Sequence, residues 1–340
     1  MHLMNRVEEL TRKLVTIGQD YTNCEFNEEH VLKWLNQFPQ KSHEVILKEL
    51  NLVLEKTYFS RNRIKSIISL MLKDEKIIEE RLEDCKFINP QTNGNSQKDL
   101  LELTGEILKK EFNLEINDCG SDKSTTFIYI DDALYSGNRL RRDIETWVNS
   151  IDGVKKVKKL CIIFVAAHRR NTDFILTKLS ELLPSTKITI YCGIIFEDNI
   201  IKSDNLYETY LPISGEPYSE SAQKYVENID KSRTELQRKI PLFRKKGMRF
   251  NDQYFSNHTN RILIEKLFFE SGVEIVSYAK NPNINMRPMG YDHSKTLGFG
   301  SYIVTYRNIA NNCPVALWWG NLTAKSGINN WYPLFPRKAN

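Results

Sequence analysis

The sequence predicts a mixed α/β protein in which helices cover a parallel sheet. A helical N-terminal subdomain precedes this core and a mixed α+β region follows it. Three observations carry the prediction. Three short apolar, β-branched runs, "TTFIYIDD", "KKLCIIFVAAH" and "KITIYCGIIFED", lie in the middle of the chain. Each is apolar on both faces, as a strand between two helical layers must be. Helical patterns, "RLRRDIETWVNSI" and "NTDFILTKLSELL", separate them, and from residue 5 to about 90 apolar residues recur three and four apart.

Taken in order, "VEELTRKLVTI", "NEEHVLKWLNQF", "SHEVILKELNLVLEKTYF" and "RIKSIISLMLKDEKIIEERL" each predict a helix. Asn27 followed by Glu28 and Glu29 marks a helix start with acids at its positive end. Trp34 and Phe38, four apart on one face, are core residues by the same spacing. The polar loop "NPQTNGNSQKD" (89 to 99) closes this part, giving a helical subdomain over 1–95, an α/β core over 96–215 and a C-terminal region over 216–340. Within the last region "RKIPLFRKKGMRF" is basic, and "RILIEKLFFESGVEIVSYA" predicts a helix and then a strand. "GFGSYIVTYRN" and "PVALWW" predict two more strands, and Trp318, Trp319 and Trp331 make the tail a packed or ligand-facing segment.

With 340 residues the chain exceeds what one core usually needs. Its 41% hydrophobic and 27% charged residues are those of an ordinary soluble protein. The net charge of +5 tolerates an anionic ligand. Direct nucleic-acid binding is not expected, because no concentrated basic stripe with interleaved aromatics appears beyond "RKIPLFRKKGMRF". Six cysteines stand far apart with no CxxC or Cys/His cluster, which argues against zinc. Cys161 and Cys192, inside apolar runs, read as buried free thiols. The charged start "MHLMNRVEEL" lacks a signal-peptide core and no run is long enough to span a membrane, so a cytoplasmic, reduced protein without membrane contact is expected.

The chemistry-bearing stretch is "FIYIDDALYSGNRLRRDI", residues 127 to 144. Asp131 and Asp132 fall at the carboxyl end of a predicted parallel strand, where open α/β sheets bind ligands. Two carboxylates there can accept hydrogen bonds from a vicinal diol or hold a hydrated magnesium ion. The loop Tyr135-Ser136-Gly137-Asn138 offers a hydroxyl, an unhindered backbone and the free amides of a new helix, the parts of a phosphate cradle. Arg139, Arg141 and Arg142 add charge, while Leu140, Ile144 and Val148 define the buried stripe. As a bare pattern the stretch also reads as a plain strand-to-helix turn. Walker B strands end in acids too, but no GxxxxGK[ST] accompanies this one.

An apolar strand, paired acids and a Ser-Gly loop resemble the phosphoribosyl-pyrophosphate (PRPP) loop of type I phosphoribosyltransferases. The stretch "RPMGYDHSKTLGFGSYIVTYRNIANNCPVALWWG", the closing "WYPLFPR" and the early "VLKWLNQF" resemble the phosphoribosyltransferase-like proteins of bacterial conflict systems. The resemblance implies a type I phosphoribosyltransferase-like core and a nucleotide or PRPP ligand. Asp131 and Asp132 would hold ribose hydroxyls and magnesium, with Ser136, Gly137, Asn138 and Arg139 around the 5-phosphate. It further implies an anti-phage defence effector encoded beside other defence components, with a protein partner among them. Two departures qualify the transfer reaction. Upstream of residue 125 only "NLEINDCGSDKS" offers a short strand and loop for the pyrophosphate end, and Arg139 stands near the place of the family's usual threonine. The alternative is a catalytically inactive sensor or adaptor that docks a nuclease, an ATPase or a reverse transcriptase complex.

Other candidates lie outside this loop. His168 ends "CIIFVAAH" and is either a general acid/base or a cap for the next helix. Glu197 and Asp198 end the third run, where a solvated loop start explains them as well. Arg287 in "NMRPMGY" and the "GFGS" turn at 298 to 301 are candidates for a second wall over the site. Arg249 and Arg261 flank a helix start within reach of a phosphate.

Overall fold

Strand formation is clearest where β-branched and aromatic residues follow one another without interruption. "KLCIIFVAAH" is buried at every position along the strand Lys159–His168, as a central parallel strand covered on both faces requires. The computed structural model describes residues 2–91, 96–150, 157–198, 208–246, 253–279, 283–323 and 330–338.

In chain order the elements are α1 (His2–Gly18), α2 (Glu28–Leu35), α3 (His43–Thr57), β1 (Tyr58–Phe59), α4 (Arg61–Lys73), β2 (Lys86–Ile88) and α5 (Ser96–Ile107). Next come β3 (Thr126–Leu134), α6 (Asn138–Ser150), β4 (Lys159–His168), α7 (Arg169–Leu182) and β5 (Lys187–Phe196). The remainder are α8 (Glu220–Lys231), α9 (Glu235–Arg238), α10 (His258–Ser277), β6 (Val304–Thr305), β7 (Asn308–Ile309) and α11 (Val315–Trp318). They fall into two units, Arg61–Glu197 and the combination of Met1–Ser60 with Asp198–Ala339.

The contiguous unit contains an all-parallel sheet of four strands in the order β2-β3-β4-β5, so each strand pairs with the next in the chain. One crossover helix, α5, α6 or α7, follows each of the first three strands. Beneath α6 and α7 the core comprises Phe127, Tyr129, Leu140, Ile144, Leu160, Ile162, Ile175 and Leu179 among others. The fourth predicted helix stops early: α4 ends at Lys73, and a turn follows in which Asp74 Oδ1 accepts from Lys76 N–H at 2.9 Å. "NLEINDCGSDKS" holds a 3-10 turn, Ile116–Asp118, instead of a strand. The first strand of the sheet is "KFI", β2, too short for its alternation to be visible in sequence.

The discontinuous unit joins the first helices to the last segments. Asn27 caps α2, its Oδ1 accepting from His30 N–H at 2.9 Å. Trp34 is fully buried, with Phe38 edge-on at 5.0 Å. The indoles of Trp34 and Trp331 both donate to the Ala316 carbonyl, at 2.8 and 2.9 Å. Gln37 exchanges two bonds of 2.8 Å with the Tyr332 backbone, donating to its carbonyl and accepting from its N–H. The tail is therefore packed. Two expected strands are helices instead. "GVEIVS" continues α10, because Ile264, Phe268 and Ile275 keep the helical spacing and are buried. "VALW" is one helical turn, closed by Trp318 Nε1 donating to Cys313 O at 2.8 Å.

A fully buried ion cluster, in which Glu265 pairs with both Arg244 and Arg261, holds this unit's interior. Its cations also bond carbonyls, Arg244 Nε to Leu211 O at 2.7 Å and Arg261 to Thr209 O at 2.8 Å. Such a cluster is tolerated in a low-dielectric core only because its hydrogen bonds are largely satisfied.

Candidate functional site: the acid pair and the loop after β3

Asp131 and Asp132 sit at the carboxyl end of β3. The strand is paired to β4 from Thr126 with Lys159 to Asp131 with Phe164, and pairing resumes at Ala133 with Ala166. Between those points the Asp132 N–H donates to Asp131 Oδ1 at 2.9 Å, and Ala133 N–H donates to Asp132 Oδ1 at 2.8 Å. Both carboxylates thus hold backbone N–H groups where the strand meets the site. Asp131 is 5% exposed and also accepts from the Tyr129 hydroxyl at 3.2 Å. Burial raises its carboxyl to about 7, and the Asp132 charge adds to this. Asp132 is half-buried and so the more accessible acid of the pair.

The loop returns through a tight turn. Gly137 has φ +74, the left-handed region that glycine enters freely. A β-carbon there would come within 2.9 Å of Ile175 Cβ on α7. The Gly137 carbonyl accepts from Arg141 N–H at 2.9 Å, opening α6, and Asn138 N–H lies 3.4 Å from Ser136 Oγ. The first amides of a long helix therefore surround the loop that Ser136, Gly137, Asn138 and Arg139 were expected to form. Asn138 and Arg139 are exposed, while Asp143 is buried one turn on, its Oδ2 3.9 Å from Arg139 Nε.

Asp143 is a residue that motif reasoning missed. Burial raises its carboxyl, with Arg139 opposing; burial also raises the Tyr129 phenol, and the charges of Asp131 and Asp143 add to this. Tyr129, Asp131 and Asp143 form one buried acid cluster behind the loop. The signal in sequence is faint: Asp143 stands four residues after Arg139 and beside Ile144 in the buried stripe.

His168 is fully buried at the end of β4, where it pairs with Phe196 in register. Asp131 pairs four positions earlier on β4, which puts His168 roughly 13 Å farther along the sheet. Its ring lies 5.6 Å from that of Tyr135 in the loop and 5.6 Å from Phe196. Burial lowers the imidazole to about 3, and the nearby Arg170 acts in the same direction. Arg169 and Glu197 close the same edge with a bond of 2.9 Å.

The segment following β2 opens at the same end of the sheet, since Ile88 pairs with Tyr129. Residues 92–95 of the loop "NPQTNGNSQKD" lie outside the described residues. Gln97, fully buried at the start of α5, points its Nε2 at the Ile130 carbonyl at 3.4 Å and exchanges two bonds of 3.2 Å with Gln91. The polar loop expected over 89 to 99 thus ends, at Gln97, beside the strand that carries the acid pair.

Arg287 belongs to the discontinuous unit, where it lines a cleft of about 690 Å³. Arg261 is used in the buried ion cluster and Arg249 lies outside the described residues. The "GFGS" turn serves backbone pairing: Gly300 N–H donates to Met289 O at 2.7 Å, and its carbonyl accepts from Tyr210 N–H at 2.8 Å. Among the described residues no group of three acidic, histidine or cysteine side chains could hold a metal ion, and no helix is long and apolar enough to cross a membrane.

No curated protein and no solved structure matches the chain. A family model described as PRTase-CE matches residues 31–337, a span that takes in both units and the acid-pair loop between its ends. The chain therefore belongs to the phosphoribosyltransferase-like PRTase-CE family.

Proposed function

We propose that the protein binds a ribose-5-phosphate compound, a nucleotide or PRPP, at the loop joining β3 to α6. The observation that carries this reading is the glycine turn that sets the α6 amides directly after the paired acids of a parallel strand. Anions are favoured at those amides and diols at the carboxylates. Asp132 would accept from the ribose hydroxyls, with Asp131 behind it, while Ser136, Gly137, Asn138 and Arg139 would enclose the phosphate. The hard carboxylate oxygens of Asp131 and Asp132 also fit magnesium, which takes one or two carboxylates together with phosphate oxygens. When bound, magnesium would neutralise the charge of a departing diphosphate. The segment after β2 is the natural place for that end of the ligand, in line with a type I phosphoribosyltransferase-like core.

Binding without transfer is the second reading, and the buried His168 favours it. A fully buried imidazole whose pKa is lowered to about 3 stays neutral and supports Tyr135 instead of carrying a proton. In that case the fold would serve as a sensor or adaptor for a protein partner. Either version suits an anti-phage defence component, the role implied by the likeness to conflict-system proteins.

Calorimetric titration of the full chain with PRPP and with nucleotides, with and without magnesium, tests the ligand. Binding that disappears in the Asp131→Ala/Asp132→Ala double variant is expected. Equal binding by the folded double variant would overturn the reading. Chromatography of a nucleotide pool after incubation separates turnover from binding, and plating efficiency of phage on cells carrying the double variant tests the defence role.

A further inference from the structure

Arg287 is 7% exposed, yet among the described residues it forms no ion pair, and its Nε has no hydrogen-bond acceptor. A buried guanidinium without a counter-charge is costly, because desolvation is not offset by attraction. Elsewhere in the same unit buried arginines are compensated: Arg244 and Arg261 share Glu265, and Arg233 has Asp230 at 3.6 Å. Arg287 departs from that rule.

Its position suggests why. The chain brings Arg287 against α10 by laying Pro288 on Gly272, where a β-carbon would approach the Pro288 carbonyl to 2.6 Å. This contact fixes one wall of the cleft of about 690 Å³ between α8, α10 and the segment that carries Arg287. None of the described lining residues is acidic, whereas Lys224 and Lys295 join Arg287 there. Lys295 adopts φ +50, uncommon for a side-chain-bearing residue, and its ammonium donates to the Ser232 carbonyl at 2.9 Å. Asp292 and Glu274 are not on the lining: Asp292 accepts twice from Thr296, at 3.1 and 2.8 Å, and Glu274 accepts from the Tyr278 hydroxyl at 2.9 Å. The rest of the lining mixes uncharged polar residues such as Asn228, Ser232 and Ser277 with an apolar part that includes Val276 and the 70% exposed Ile284.

We propose that this cleft is a binding site for a small organic anion, whose phosphate or carboxylate meets Arg287 and Lys295 and whose apolar body lies along Val276 and Ile284. Arg287 supplies a planar fork suited to two oxygens of such a head group. Lys224, exposed at the rim, contributes attraction more than geometry. Tyr225, also on the lining, lies beside Arg287 and is positioned to report occupancy. The site is built wholly from residues of the discontinuous unit and stands independently of the ribose-phosphate reading of the β3 loop.

The test uses phenyl phosphate and benzoate as probes on the full chain, with phenol as the uncharged control. Thermal-shift titration should show a rise in Tm with at least one anionic probe and none with phenol. Comparison of the two probes assigns the head group. Arg287→Met should weaken the effective probe at least ~10-fold, as loss of a charge-assisted bond implies. Without probe, this variant should be as stable as the parent or more so, because it removes an uncompensated charge. Lys224→Gln should weaken binding about 3-fold without changing stability, and the Asp131→Ala/Asp132→Ala variant should bind the probes unchanged. No shift with either anion at 10-fold steps up to ~10 mM, equal binding by Arg287→Met, or an Arg287→Met protein that fails to fold would each overturn the proposal.

Discussion

The Tyr129 hydroxyl donates to Asp131 Oδ2 at 3.2 Å, tying the buried acid of the pair to its own strand two residues back. With Oδ1 held by the Asp132 N–H, Asp131 is a fixed, buried acid behind a more exposed one. On the proposed reading the pair divides into a positioning carboxyl and a ligand-facing carboxyl. Tyr129→Phe should leave the fold intact and weaken ligand binding less than Asp132→Asn does. Calorimetry of the two variants with the same nucleotide checks the order.

Asp131 gives stability an unusual pH slope. Its folded value, about 7, lies above the ordinary carboxylate value, so the native state binds the extra proton between pH ~4 and ~7. The associated stabilisation is complete below ~4 and is lost as pH rises through ~7. In magnesium-free buffer, Asp131→Asn should flatten that decline in urea midpoints between pH 5 and 8. An unchanged slope would show that the carboxyl is not protonated at neutrality.

His168 acts in the opposite sense. Its folded value of about 3 lies below the ordinary imidazole value, so the unfolded chain takes up a proton first on acidification. Stability from this group is present above pH ~6.5 and is lost as pH falls toward 3. Its ring proton shifts in NMR should not titrate between pH 5 and 9.

Gly137→Ala combines a left-handed φ of +74 with a contact of 2.9 Å to Ile175 Cβ. We expect a loss of about 2–4 kcal/mol in urea denaturation and loss of nucleotide binding. Ile175→Ala in the same chain should recover only the packing part, since the backbone strain stays.

Glu265→Leu would leave Arg244 and Arg261 buried without their shared partner. It should cost about 3–5 kcal/mol. Replacing all three by well-packed apolar residues should restore most of that loss, measured by the same denaturation midpoints.

The strands β3, β4 and β5 were legible because each is a long apolar run; burial on both faces explains that mark in β3 and β4, while β5, at the sheet edge, is mostly half-buried. β2 was not, because three residues carry no period and its pairing is supplied by β3. "GVEIVS" misled through its β-branched residues, whose burial inside α10 outweighs local preference. At the site, the glycine and the acids were visible as residue types. Tyr129, Asp143 and Gln97 were not, since their roles depend on which side chains the sheet and helices bring behind the loop. Arg261 read as a candidate phosphate contact and Arg244 as part of a basic segment, and only the fold reveals the buried glutamate between them.

The discontinuous unit sets an order on synthesis. Trp34 must wait for a carbonyl 282 residues later in the chain, a delay of roughly 15 to 55 s at typical ribosomal rates. The sheet unit, drawn from one uninterrupted stretch, has all its strands available well before that moment. Its assembly can thus come first, with the early helices α1 to α3 left unpartnered until the tail emerges. A nascent chain halted before residue 316 would carry a formed acid-pair loop and an exposed Trp34 face, making that face the point where a stalled or clipped product is recognised by chaperones and proteases.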